Sequence, residues 1–63
     1  MKIIKRKAAR NGFVCLVHRG ELEFVTCFMR RDMNLERDGW ILGHYFHGED
    51  ALNLALKDFD LRS

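Results

Sequence analysis

Phe13-Val14-Cys15-Leu16-Val17-His18 and Leu22-Glu23-Phe24-Val25-Thr26-Cys27-Phe28-Met29-Arg30, joined through Arg19-Gly20-Glu21, decide the fold. Both runs are rich in β-branched and aromatic residues, which suit a pleated, half-buried surface, and a glycine-containing turn separates them. They predict the two central antiparallel strands of a sheet. Upstream, residues 2–9 carry Ile3 and Ile4 among lysines and predict a short basic edge strand. Asn11-Gly12, two residues that tolerate φ > 0, predict the tight turn between that strand and the next. Downstream, residues 32–39 are polar and predict a loop, from which Met33 and Leu35 can fold back onto the core. Trp40-Ile41-Leu42-Gly43-His44-Tyr45-Phe46 predicts a fourth strand, with Gly43 marking a bulge or a close backbone approach. Gly48-Glu49-Asp50 predicts a helix start with two acids at the positive end of the dipole. Ala51, Leu52, Ala55, Leu56 and Phe59 then fall on one helical stripe, with Lys57 and Arg62 toward the other end. The expected fold is α+β: an antiparallel β-meander of three to four strands with one C-terminal α-helix packed on one face. No proline, repeat or low-complexity stretch interrupts residues 1–63, which read as one domain.

Side chains alternate along a strand, so Phe13, Cys15 and Val17 share one face and Val14 and Leu16 the other. An even hairpin loop adds Phe24, Thr26 and Phe28 to the first set, and Val25, Cys27 and Met29 to the second. It also separates Cys15 from Cys27, which only an odd loop brings together. Both faces are therefore apolar, yet a single helix covers one face of a sheet. The second face needs a cover: a second copy of the chain, a host protein partner, or the Met33–Leu35 segment. Self-association as a homodimer is the expectation. Phe13, Cys15, Val17, Phe24 and Phe28 are the candidate protein interface, because a small chain with a bare apolar sheet is weakly stable and sticky.

The chain has 63 residues, 48% hydrophobic and 32% charged, which excludes a disordered tail. No apolar run approaches the roughly 18 residues of a membrane span. Met1-Lys2-Ile3-Ile4-Lys5-Arg6-Lys7 has charge without a following apolar segment, so a cytoplasmic protein away from membranes is expected. Two cysteines make no disulfide framework and read as buried free thiols. They are also poor nucleophiles, since each sits mid-strand among apolar residues with no neighbouring base. The acidic pairs Glu21/Glu23, Glu49/Asp50 and Asp58/Asp60 lie in turns or at helix ends, where solvated acids are ordinary. Cys15, Cys27, His44 and His47 supply zinc-binding atoms but not the tight spacing of a zinc knuckle. Neither an enzyme nor a small-molecule substrate, cofactor or metal is expected.

Charge is the best functional signal. Residues 1–31 hold eight cations (Lys2, Lys5, Arg6, Lys7, Arg10, Arg19, Arg30 and Arg31) against two acids. Residues 32–63 hold three cations against seven acids. Such asymmetry suggests a basic surface for an anionic partner, nucleic acid being the usual one. Alternatively, the halves pack so that strands and helix carry complementary charge, or the cations solubilise an edge strand.

Arg10-Asn11-Gly12-Phe13-Val14-Cys15, and Trp40-Ile41-Leu42-Gly43-His44-Tyr45-Phe46 leading into Glu49-Asp50-Ala51, carry a pattern-level resemblance. It resembles the small three-stranded-sheet-plus-helix DNA-binding modules, namely the arm-binding domains of tyrosine recombinases and the plant ethylene-response-factor domain. The resemblance implies a sheet that reads the major groove, a helix bracing it from behind, and Lys5, Lys7, Arg10, Arg19 and Arg30 as contacts. The chain departs from that pattern in its doubly apolar middle strands and its long acidic 32–39 loop. Two function classes follow. One is a small nucleic-acid-binding protein of phage or mobile-element type, using all eight cations to hold DNA. The other is an inhibitor or adaptor that docks on a host protein through an apolar sheet face.

Overall fold

In the computed structural model, which describes residues 1–62, the β-branched runs become four strands. They are β1 (Lys2–Ala9), β2 (Gly12–Gly20), β3 (Glu23–Arg30) and β4 (Ile41–His47). The strands are antiparallel and lie side by side in chain order in one open sheet, so every connection is local. A one-turn helix, α1 (Leu35–Asp38), sits between β3 and β4, and the longer α2 (Ala51–Leu61) follows β4 and packs on the sheet. The architecture is the α+β meander that the sequence predicts.

One addition lies in the segment expected to be a plain loop. Asn34 caps α1, its side-chain oxygen accepting the N–H groups of Glu36 at 3.0 Å and Arg37 at 3.1 Å. Asp38 returns the contact, accepting the Asn34 N–H at 2.7 Å and pairing with Arg37 at 2.8 Å. Polar residues that looked like loop chemistry thus close a helical turn. The expected acidic helix start shifts as well. Helix α2 begins at Ala51, so Glu49 and Asp50 precede its first turn, and Asp50 makes no side-chain cap bond.

The first turn also moves by one residue. Ala9 pairs with Gly12, leaving Arg10 and Asn11 as the turn residues, with Asn11 at φ 65°. Gly12 is already part of β2, where it is needed for space. A Cβ there would strike the Met29 carbonyl and approach the Phe28 ring to 2.9 Å.

Register corrects the assignment of faces. A bulge at Arg19 lets His18 pair with Phe24, so five residues separate the partners and the hairpin loop is odd. Cys15 therefore faces Cys27, Phe13 faces Met29, and Val17 faces Val25. Phe24, Thr26 and Phe28 share the other face with Val14 and Leu16, beneath α2. The expected interface of Phe13, Cys15, Val17, Phe24 and Phe28 is thereby split between two faces. Cys15, Val17 and Phe24 are also buried within the chain itself.

Two cores result. Under the helix, Val14, Leu16 and Phe24 pack against Ala51, Ala55 and Phe59, with Ala9, Phe46 and Leu56 at the margin. The two alanines let the helix axis lie close to the strands. Leu52, expected on the buried stripe, is exposed. On the opposite face, Cys15, Val17, Val25, Cys27 and Met29 are sealed by Ile3, Phe13, Met33, Leu35 and Trp40. Of the three covers expected for this face, the Met33–Leu35 segment is in place, with Trp40 beside it and Ile3 and Phe13 at the sheet's margin. Gly43 gives the indole room: a Cβ there would stand 3.0 Å from Trp40 Nε1 and 2.9 Å from the Tyr45 hydroxyl. No helix among the described residues is long and apolar enough to cross a membrane.

The Gly12 approach yields a stability test. Gly12→Ala is expected to cost about 1–3 kcal/mol in urea unfolding, the usual range for overpacking against unyielding backbone. Gly20→Ala, which meets only the flexible Glu23 side chain at 3.4 Å, is expected to lose clearly less.

Candidate functional site

The eight cations expected to form one patch divide into separate groups. Lys5 and Lys7 pair with Leu16 and Val14, which puts them on the helix face. Their ammonium groups lie 5.2 Å and 4.8 Å from the centre of the Phe59 ring. Lys7 donates to the Phe59 carbonyl at 2.8 Å, and Lys5 stands 4.0 Å from Asp60. These two lysines bind the negative end of α2, where a cation is favoured. Lys2 sits at the far end of β1, beside His18 and Arg19.

Arg6 and Arg19 lie over aromatic rings of the face opposite α2. The Arg6 guanidinium is 4.6 Å from the centre of the Phe13 ring, and that of Arg19 is 5.7 Å from the centre of Tyr45. Such stacking orders long, flexible side chains without neutralising them. Arg19 also approaches Glu23 at 4.0 Å, a distance worth little at an exposed site. Arg10, Arg30 and Arg31 gather at the first turn, where Arg30 pairs with Gly12 and the Arg31 N–H donates to the Asn11 carbonyl at 3.3 Å. All three are exposed, and none has an acidic partner within 4.0 Å among the described residues.

Tyr45 and Trp40 join this surface, though neither is among the contact residues expected from the sequence. Tyr45 pairs with Val25, is 54% exposed, and accepts a 2.9 Å hydrogen bond from Trp40 Nε1. A shallow depression of about 280 Å³ beside Tyr45 is lined by Arg19, Glu23, Val25 and His47. Alternation along β4 is the only sequence signal for Tyr45. It becomes useful once the odd hairpin register puts Val25 on the face that α2 leaves uncovered.

Both thiols are buried. Burial pushes Cys15 up, against the nearby Arg6 charge. Burial, and then the facing Cys15, push Cys27 up to about 12, with Arg62 opposing. Both therefore stay protonated near neutral pH. His44 pairs with Thr26 on the helix face and His47 lines the depression on the other, so the imidazoles and thiols do not converge. No three metal-ligating side chains gather among the described residues.

The remaining polar cluster ties α2 to the sheet. The wholly buried Thr26 hydroxyl donates to Asp58, which His44 Nδ1 also reaches at 2.9 Å. Arg62 donates to the Thr26 carbonyl at 3.0 Å and to the Leu42 carbonyl at 2.7 Å. Leu42 is the bulged residue of β4, held at φ 54° opposite the Thr26–Phe28 register shift. In hydroxyl-nucleophile sites an imidazole stands between hydroxyl and carboxylate. Here the carboxylate stands between the other two, so no base reaches the Thr26 hydroxyl. The cluster holds structure together.

No family model matches this chain, and no curated protein or solved structure matches it.

The Asp58 contacts make stability depend on pH. Burial alone would raise this carboxyl, but hydrogen bonds from Thr26 and His44, with His44 and Arg62 nearby, hold it below the ordinary carboxylate range. A depressed carboxyl stabilises the fold above its unfolded value of about 3.9, and the gain is lost as pH falls through the folded value. Asp58→Asn is expected to destabilise by about 1–3 kcal/mol at pH 6, with a gap in Tm from wild type that closes below pH 4. Parallel thermal melts from pH 6 to pH 3 measure it, and a gap of constant size would refute the assignment.

Proposed function

We propose that the protein binds nucleic acid with the side of its sheet that α2 leaves uncovered, together with the arginine-rich turn beside it. One observation carries this reading. Arg6 and Arg19 are held against Phe13 and Tyr45 on that side, while Arg10, Arg30 and Arg31 project at its end with no acidic partner within 4.0 Å among the described residues. Guanidinium groups are weakly hydrated forks whose geometry matches phosphate oxygens, and five of them are available here. Both acids of α2 serve other contacts: Asp58 is bound by Thr26 and His44, and Asp60 lies by Lys5. In this reading Lys5 and Lys7 take no direct part, because they secure the end of α2. Docking on a host protein through an apolar sheet face has less support, since Met33, Leu35 and Trp40 pack over that face.

Binding of this kind releases counterions, so affinity falls with salt by a slope of about 0.7–0.9 per phosphate contacted. If all five arginines meet phosphates, raising salt fourfold weakens binding roughly 100- to 500-fold. Fluorescence anisotropy with a labelled oligonucleotide at 50 and 200 mM salt tests this. Replacing Arg10, Arg30 and Arg31 together by alanine is expected to reduce the slope by about 2–3. Absence of binding at the lower salt would eliminate the reading.

A further inference from the structure

We infer that the occupant of the exposed margin of the face opposite α2 is single-stranded RNA, held by stacking of unpaired bases on the outer guanidinium planes of Arg6 and Arg19, the latter seated on Tyr45; this rests on the nucleic-acid reading above. Four strands at about 4.8 Å spacing span about 14 Å between the outer backbones, before side chains are added. The major groove of a duplex is about 12 Å wide and admits a two-stranded ribbon, not the flat of a four-stranded sheet. A duplex also hides its base planes within its own stack. Met33, Leu35 and Trp40 cover the middle of this face, and a single strand can turn its bases onto the margin left open, where arginine planes seated on aromatic rings receive them.

The face supplies such platforms in fixed positions. The Tyr45 hydroxyl is engaged by Trp40 at 2.9 Å, which orients the ring and leaves it 54% exposed. Arg19 already lies over that ring, and Arg6 over Phe13 on the far side of β2, so each guanidinium offers an outer plane to a base. Ribose, as opposed to deoxyribose, fits the depression next to Tyr45. Glu23 and His47 line it beside Arg19. A 2′-hydroxyl can donate to the Glu23 carboxylate and accept from the His47 imidazole, while Arg19 takes the neighbouring phosphate. The carboxylate repels phosphate, which favours a sugar edge at that spot. A deoxyribose has no 2′-hydroxyl to offer either group.

The test uses the full chain with three labelled probes of one mixed sequence: a ten-nucleotide single-stranded RNA, the same strand as DNA, and the RNA annealed to its complement. Single-stranded RNA is expected to bind at least tenfold tighter than either of the others. Tyr45→Ala is expected to weaken it roughly 5- to 150-fold, the value of one base–aromatic stack, and Tyr45→Phe to retain binding. Trp40 is the sole tryptophan and touches Tyr45, so its emission should change as wild-type protein is saturated with RNA, a readout that needs no variant to fold. Duplex binding as tight as single-stranded binding, or unchanged Trp40 emission at saturation, overturns the stacking proposal and leaves the nucleic-acid reading standing. Equal affinity for the DNA strand overturns the assignment to RNA. No binding to any probe removes both.

Discussion

A four-stranded sheet that is apolar on both faces must be covered twice, and this chain has 63 residues with which to do it. Most of the structure follows from that constraint. Helix α2 supplies one cover, and its alanines bring it close enough for Phe59 to reach the sheet. The other cover is assembled from side chains at the sheet's own margin and from the short segment between β3 and β4. That segment can turn back because Asn34 and Asp38 close a helical turn within it. Trp40 then crosses the strand at the one position, Gly43, that has no side chain in the way. A leucine or valine at 43 would displace the indole and reopen the second core.

The two covers are stabilised differently. The α2 side includes a polar clasp in which Thr26, Asp58, His44 and Arg62 satisfy one another and fix the left-handed Leu42. Buried polar groups of this kind cost stability if left unpaired, so the clasp selects one placement of the helix over its alternatives. The opposite side has no such clasp among the described residues. Its edges are guanidinium–aromatic stacks and the Trp40–Tyr45 contact, which stay at the surface. A covered core with aromatic rings and arginines at its exposed margin is chemically suited to receive another planar, anionic molecule.

Electrostatics divides along the same line. Lys5 and Lys7 of β1 are drawn to the C-terminal end of α2 and to Asp60, where they complement the helix dipole. Arg6, Arg10, Arg19, Arg30 and Arg31 remain for the uncovered side and the turn, while Arg62 serves the α2 clasp. The two cation types part because an ammonium is a compact charge that suits carbonyls and a dipole end. A guanidinium is a plane that rests on a ring and keeps its donors free.

Strand order, the antiparallel meander and the C-terminal helix were legible from local signals: β-branched runs, turn residues between them, and an apolar stripe at helical spacing. These depend on neighbours in the chain, which the residues themselves specify. Local chemistry also announced the cations and the need for a second cover. Register was not legible, because the bulge at Arg19 adds a residue to the hairpin, and side-chain period two turns that one residue into a change of face for every residue of β3. The pairing of Cys15 with Cys27, the burial of Phe24 under α2, and the exposure of Tyr45 beside Arg19 all follow from it. The split of the lysines from the arginines depends on where the last turn of α2 comes to rest, more than fifty residues away from Lys5 and Lys7. Contacts over that distance are set by how the covers close on the sheet, so the tertiary fold alone decides which of the charges face outward together.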